Sequence, residues 1–432
     1  VYPPLVLELT WENTPFLFWP HGLSGSAHPI SHTPSSGWLT SNLFAGYTQF
    51  ADSPRRSTQP VHEKLMLTIC PTVDYEIYLG RNLLPIDEVL FEPTRKLLGV
   101  WAEYGVHATF FPDVCSVWRH RELGVDDYAD TFETQIKQVC GSGHDVQLHL
   151  HPEWLTAERR KGDWIFKSGT YSLHDLGFSS NDPHNATSLI RRGKTYLEEQ
   201  LAPGNPKYRC IAFRAGGWII QPEGPVAKAL LAEDVRCDAT VIPGMTLART
   251  DYVVDFRHVP DKPTWFIDPS KGLAHDSGRT GDLLEISIAS YRGRFPAWQH
   301  IINQLRLKRR AASSRELARG YPITRSKVKS GLASRIVGKY HKIQVPRVLD
   351  IADTHESMLT TVNSYLRHYD CRSNDFAVCM NGHSKDTYGY HLEELRRFFD
   401  LVGRKHSDVV RFETIAEYTG RVLPGAIVSV VD

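Results

Sequence analysis

The strongest constraint on this chain is an alternation of short apolar runs with amphipathic stretches, kept up along most of its length. KLMLTI at 64–69, VHATFF at 106–111, DVQLHL at 145–150, YRCIAF at 208–213, CDATVI at 237–242, LLEISI at 283–288 and FAVCM at 376–380 each suit a buried strand. Helical spacing fills the intervals. One helix opens at Glu92-Pro93, carries Leu97, Leu98 and Trp101, and stops at Gly105; others are expected near 129–140, 186–201 and 222–233. Strands alternating with helices argue for βα units around a parallel sheet or barrel.

The 432 residues exceed what one such body needs, so additions are expected. Residues 1–60 are rich in Pro, Ser, Gly and Trp without clean periodicity and read as an irregular extension, leaving 61–432 as the main body. Seven scattered cysteines, an odd number with no CxxC pair, fit neither a disulfide framework nor a thiolate zinc site. No run of 18 apolar residues occurs and no export signal opens the chain, so a cytoplasmic protein is expected.

Fifty Lys and Arg against 49 Asp and Glu give a net charge of +1, which offers no general affinity for nucleic acid. That average hides a contrast. From Arg306 to Arg347 the chain holds 13 basic residues and a single acid, Glu316, so a basic insertion is placed at about 303–347. Its two readings are a solvated surface decoration and a dock for an anionic carrier or membrane.

Five local patterns carry chemistry. Thr72-Val73-Asp74-Tyr75-Glu76 puts two carboxylates at the end of the first strand, where parallel α/β folds build their sites. Within His149-Leu150-His151, alternation turns both imidazoles to one face, a plausible ligand pair for zinc or a similar ion. Phe213-Arg214-Ala215-Gly216-Gly217-Trp218 places a forked cation at a strand end, followed by glycines that allow close backbone approach. Asp238 starts another strand, and His383, in Asn381-Gly382-His383-Ser384-Lys385, follows the last.

In this order, LTICPTVDYEIYLG, GVHATFF, GHDVQLHLHPEW, FRAGGW and NGHSKD resemble the polysaccharide deacetylase (NodB-homology) superfamily, related to carbohydrate esterase family 4, over roughly 64–415. They look most like a subgroup linked to surface-polysaccharide biosynthesis. The resemblance implies a distorted (β/α)7 barrel that removes an acetyl group, most often N-linked, from a sugar with the help of one divalent ion, zinc in the first place. It implies Asp74 as catalytic base, Arg214 as the residue that positions it, Asp238 as a supporting acid and His383 as general acid. Glu76, His149 and His151 would hold the metal. Since the family's second histidine falls four residues after the first, where this chain has Glu153, that carboxylate is the fallback ligand. Tyr75, Trp154 and Trp218 would contact substrate, an acetylated carbohydrate. Two other readings stay open: a catalytically silent glycan-binding barrel with Trp154, Trp164 and Trp218 at its rim, and a glycoside hydrolase of related architecture.

Overall fold

The computed structural model describes residues 65–423, apart from 161–162, 168–171, 180–181, 183, 249–252, 279–280, 294–296, 315, 317 and 322–345. The irregular extension at 1–60 and the larger part of the basic insertion lie outside the described residues.

The body is a mixed α/β structure with parallel sheets. In chain order its principal elements are β1 (Leu67–Tyr75), α1 (Glu92–Tyr104), β2 (Thr109–Pro112), α2 (Val114–Glu122), α3 (Asp126–Gly141), β3 (Leu148–Leu150) and α4 (Ala186–Leu201). Then follow β4 (Ala212–Ala215), α5 (Glu223–Ala232), β5 (Cys237–Asp238), β6 (Leu284–Ile286), α6 (Ala297–Ser314), α7 (His355–His368), β7 (Phe376–Met380), α8 (Gly389–His406), β8 (Val410–Phe412) and α9 (Ile415–Val422). Gly105 closes α1 in the left-handed conformation, φ 61°, which glycine adopts without strain.

All nine residues of β1 are buried, as expected of a parallel strand covered on both faces. Its first half pairs with β7 and β8, and Thr72–Tyr75 pair with β2. Parallel pairing continues from β3 to β4, β5 and β6. Single parallel bridges join Asp113, just after β2, to His149 in β3, and Ile288, just after β6, to Cys379 in β7. Each of these seven strands therefore has a parallel neighbour on both sides. Their carboxyl ends point one way, and those ends carry the candidate residues.

Three expectations shift for physical reasons. The first strand runs on through Cys70-Pro71-Thr72-Val73 to Tyr75, which puts Asp74 inside it. The run CDATVI is extended only at Cys237–Asp238, because the Asp238 carboxylate turns back onto the amide and hydroxyl of Thr240 and competes with the ladder. Between β5 and β6 the chain makes an antiparallel excursion, pairing Thr246–Ala248 with Val253–Asp255 and Thr264–Asp268 with Gly272–Asp276. All seven cysteines are buried and free. Among the described residues no helix is long and apolar enough to cross a membrane.

Candidate metal centre

Three side chains meet where β1 and β3 end. Glu76 projects just past β1, His149 lies within β3, and His151 follows it. One ligand atom from each falls within 4.8 Å of the others, and all three residues are buried. Glu76 Oε2 is 2.6 Å from His151 Nε2 and 3.4 Å from His149 Nε2.

The opposite ring nitrogens fix the tautomers. His149 Nδ1 is 2.8 Å from the carbonyl oxygen of Arg214, so that nitrogen carries the proton and Nε2 keeps its lone pair. His151 Nδ1 faces Glu153 Oε2 at 3.3 Å, the arrangement in which a carboxylate orients a ligating imidazole. Glu153 thus stands behind His151 and does not take its place. Gly216 makes room for the ring: a Cβ there would lie 2.7 Å from His151 ring atoms and 2.6 Å from the Leu150 carbonyl oxygen.

This donor set fits a divalent ion. His149 Nε2 is buried without a hydrogen-bond partner and, with His151 Nε2, faces Glu76 Oε2, an arrangement that a cation between them would satisfy. One carboxylate and two neutral imidazoles are a common three-residue set for zinc that leaves positions for water and substrate.

Asp74 lies beside the triad. Its Oδ1 accepts from Arg214 Nη1 at 2.6 Å, and its Oδ2 is 3.4 Å from His383 Nε2. Burial alone would raise this carboxyl, but Arg214, aided by His149 and His383, outweighs burial and holds it below the usual range. Arg214 is wholly buried; its Nε donates to the Ala239 carbonyl and its guanidinium stacks over Phe111 at 4.4 Å. His383 approaches from beyond β7, 3.6 Å from Glu76 Oε1, with its side chain 19% exposed. It borders the cleft, while Asp74 forms its floor.

Other assignments change. Tyr75 is fully buried and donates to Gln135 Oε1 at 2.7 Å, so it belongs to the core and cannot touch substrate. Trp154 is also fully buried, ring to ring with Trp164 and Phe166. Trp218 stays partly exposed on the loop after β4. Asp238 reaches neither Asp74 nor the triad: its carboxylate accepts from the amide and hydroxyl of Thr240, and its neighbour in register on β6 is Glu285. Thr240 in turn accepts from the Ala215 amide at 3.0 Å, so Asp238 steadies the strand that bears Arg214.

Two residues were given no role from sequence. Lys385 is buried and donates to Glu76 Oε1 at 2.6 Å; burial would lower its pKa, but Glu76 and Asp386 outweigh that and raise it. Asp113 ends the strand-to-helix turn after β2, where Oδ1 accepts from the amides of Cys115 and His151, both at 3.2 Å, and Oδ2 is buried without a partner. Burial pushes its carboxyl up to about 6, against the pull of His151 and His149. A carboxylate at a strand end in VHATFFPD was the available signal.

No family model and no curated protein matches this chain. Among solved structures, a candidate polysaccharide deacetylase from Mycobacterium smegmatis is similar at 13% identity and TM-score 0.41, over 84% of this chain and 92% of that one. A peptidoglycan N-acetylglucosamine deacetylase gives 12% and 0.31, over 81% and 86%, and an allantoinase 13% and 0.38, over 86% and 97%. A 4-alpha-glucanotransferase from Thermococcus litoralis is similar at 10% and 0.40. Likeness this low, spread over several chemistries, decides nothing about the reaction. That question rests on the geometry of the site.

Proposed function

We propose that the chain is a metal-dependent deacetylase on a distorted (β/α)7 barrel, removing an acetyl group, in first place N-linked, from an amino sugar of a polysaccharide or its carrier-linked precursor. The observation that carries this reading is the convergence of Glu76, His149 and His151 within 4.8 Å, beside a carboxylate clamped by a buried arginine. The sequence resemblance supports it, and so does the circuit of parallel strand pairings.

A divalent ion held by Glu76, His149 and His151 would supply Lewis acidity toward the acetyl carbonyl and acidify water. The chain's own groups do the proton work. Asp74, kept ionised by Arg214, accepts the proton of the attacking water on Oδ2, the oxygen that faces His383. Arg214 also fixes the rotamer of that carboxylate through Nη1, while its Nε is tied to the Ala239 carbonyl. His383, on the open side of Asp74, hands a proton to the departing nitrogen. A glycoside hydrolase would need a neutral carboxylic acid in the pair. Against burial, Arg214 and Lys385 hold Asp74 and Glu76 on the ionised side, which disfavours that reading.

The test is acetate release from N-acetylglucosamine oligomers by wild type and Asp74→Asn, with metal content measured on both. The expected result is a rate loss of about 10²-fold or more at unchanged metal stoichiometry. Full turnover by the variant, or wild-type turnover indifferent to a chelator, would overturn the reading. A wild type that binds the ion yet releases no acetate would favour the silent glycan-binding barrel.

A further inference from the structure

Helix α6 has two unlike sides. On one, Asn303 is 3% exposed, Arg306 pairs with Glu356 at 2.6 Å and Arg310 pairs with Glu394, which pins the helix to α7 and α8. On the other, Trp298 is 65% exposed, Ile301 52%, Ile302 40% and Leu305 51%. These four are spaced i, i+3, i+4 and i+7, so they form one apolar stripe along the helix. They are half of the eight large hydrophobic side chains exposed among the described residues, gathered on two turns. A stripe of this kind, in place of single scattered residues, marks a contact surface.

Its surroundings say which kind. One turn past Leu305 the same line reaches Arg309, with Lys308 beside it, both exposed. The segment that begins here carries 13 basic residues against Glu316 alone through Arg347. A second copy of this chain would bring the same charge against it, and repulsion disfavours that pairing. An anionic bilayer supplies both complements at once: negative headgroups for the arginines and lysines, and an acyl boundary for Trp298 and its neighbours.

We propose that α6 docks in the headgroup plane of an anionic membrane, Trp298, Ile301, Ile302 and Leu305 downward, as a peripheral anchor. The segment after α6 is fastened to the rim of the site. Buried Arg319 donates to the Thr387 carbonyl at 2.6 Å and lies within hydrogen-bond reach of the Ser384 and Lys385 carbonyls. A docked α6 therefore sets the cleft beside the bilayer surface.

The experiment is co-sedimentation of the full 432-residue chain with phosphatidylcholine vesicles, with and without one-quarter phosphatidylglycerol, and sedimentation velocity of the protein alone. Binding is expected only on the anionic vesicles, weakened by salt, and lowered about tenfold or more in Trp298→Ser/Ile301→Ser. Lys308→Glu/Arg309→Glu should erase the lipid preference. Both variants change exposed positions, and an unchanged circular dichroism spectrum checks their fold. Absence of binding, equal binding to neutral vesicles, or undiminished binding by the apolar variant would overturn the proposal. So would a dimer that the Trp298→Ser/Ile301→Ser change dissolves, since a second copy would then cover the stripe.

Discussion

Among the described residues, two clusters bring histidine and carboxylate ligand atoms close together, and one of the two has the character of a metal centre. Glu76, His149 and His151 form the first; His355, Glu356 and Glu394 form the second, where α7 begins and α8 passes. Their residue types are nearly the same. In the first, the ligand atoms Glu76 Oε2, His149 Nε2 and His151 Nε2 face one another, His149 Nδ1 is oriented by the Arg214 carbonyl and His151 Nδ1 lies 3.3 Å from Glu153. In the second, Arg310 and Arg397 reach Glu394, Arg306 reaches Glu356, and His355 Nδ1 is bound to Glu394 at 2.5 Å. Ligand types close together do not make a metal site. What matters is what already meets their ligand atoms, and in the second cluster arginines do, which makes it an ion-pair dock for α6.

The contrast breaks most sharply on metal content. His149→Ala should abolish stoichiometric binding of added zinc, read by elemental analysis after gel filtration, while His355→Ala should leave it intact. Loss in both, or in neither, would erase the distinction drawn here. Next in size is Glu153→Gln, which keeps the triad but weakens the carboxylate behind His151. Metal affinity in a competitive chelator titration should fall about 10–100-fold. An unchanged affinity would mean that Glu153 only packs.

The second cluster should answer in stability. Glu394 is 1% exposed, and Glu394→Gln leaves Arg310 and Arg397 facing a neutral amide, so urea unfolding should show a loss of about 1–3 kcal/mol with metal content unchanged. Were zinc binding lost and stability kept, the roles of the two clusters would be reversed.

The strand ends and the order of the five patterns were readable from sequence because they depend on local alternation. Asp74, Glu76, His149, His151, Arg214 and His383 lie together at those strand ends. Alternation also held a warning about Tyr75: if Asp74 and Glu76 share a face, the residue between them faces the opposite way, into the core against Gln135. Trp154 misled because an aromatic next to a ligand pair suits a rim equally well, whereas the turn at Pro152–Thr156 directs it inward. Lys385 and Glu76 are 309 residues apart, and their 2.6 Å contact exists only through the β1 and β7 register. The antiparallel excursion after β5 was unreadable for a similar reason. Its strands are three to five residues long, and one of them, Thr264–Asp268, pairs with β6.

A third buried carboxylate group completes the comparison. Asp238 and Glu285 are fully buried register neighbours, two groups that are ordinarily acceptors set side by side. The triad has room for a cation and the α7 and α8 cluster has arginines, whereas burial favours protonation of this pair. Burial pushes Asp238 up to about 6, and burial together with the charge of Asp238 raises Glu285 well above the usual carboxylate range. The unfolded chain releases both protons near the ordinary carboxylate value of about 4. Between about 4 and 6, and on toward neutrality, the folded state thus binds more protons, and stability must fall as pH rises, by at most about 1.4 kcal/mol per unit for one proton. Glu285→Gln offers Asp238 an amide donor that needs no titration. The unfolding free energy of the variant, measured against pH, should fall less steeply than wild type from pH 4 to 7, bringing the two closer at neutral pH than in acid. Parallel profiles would show that the pair binds no proton, and that burial of this carboxylate pair is balanced in some other way.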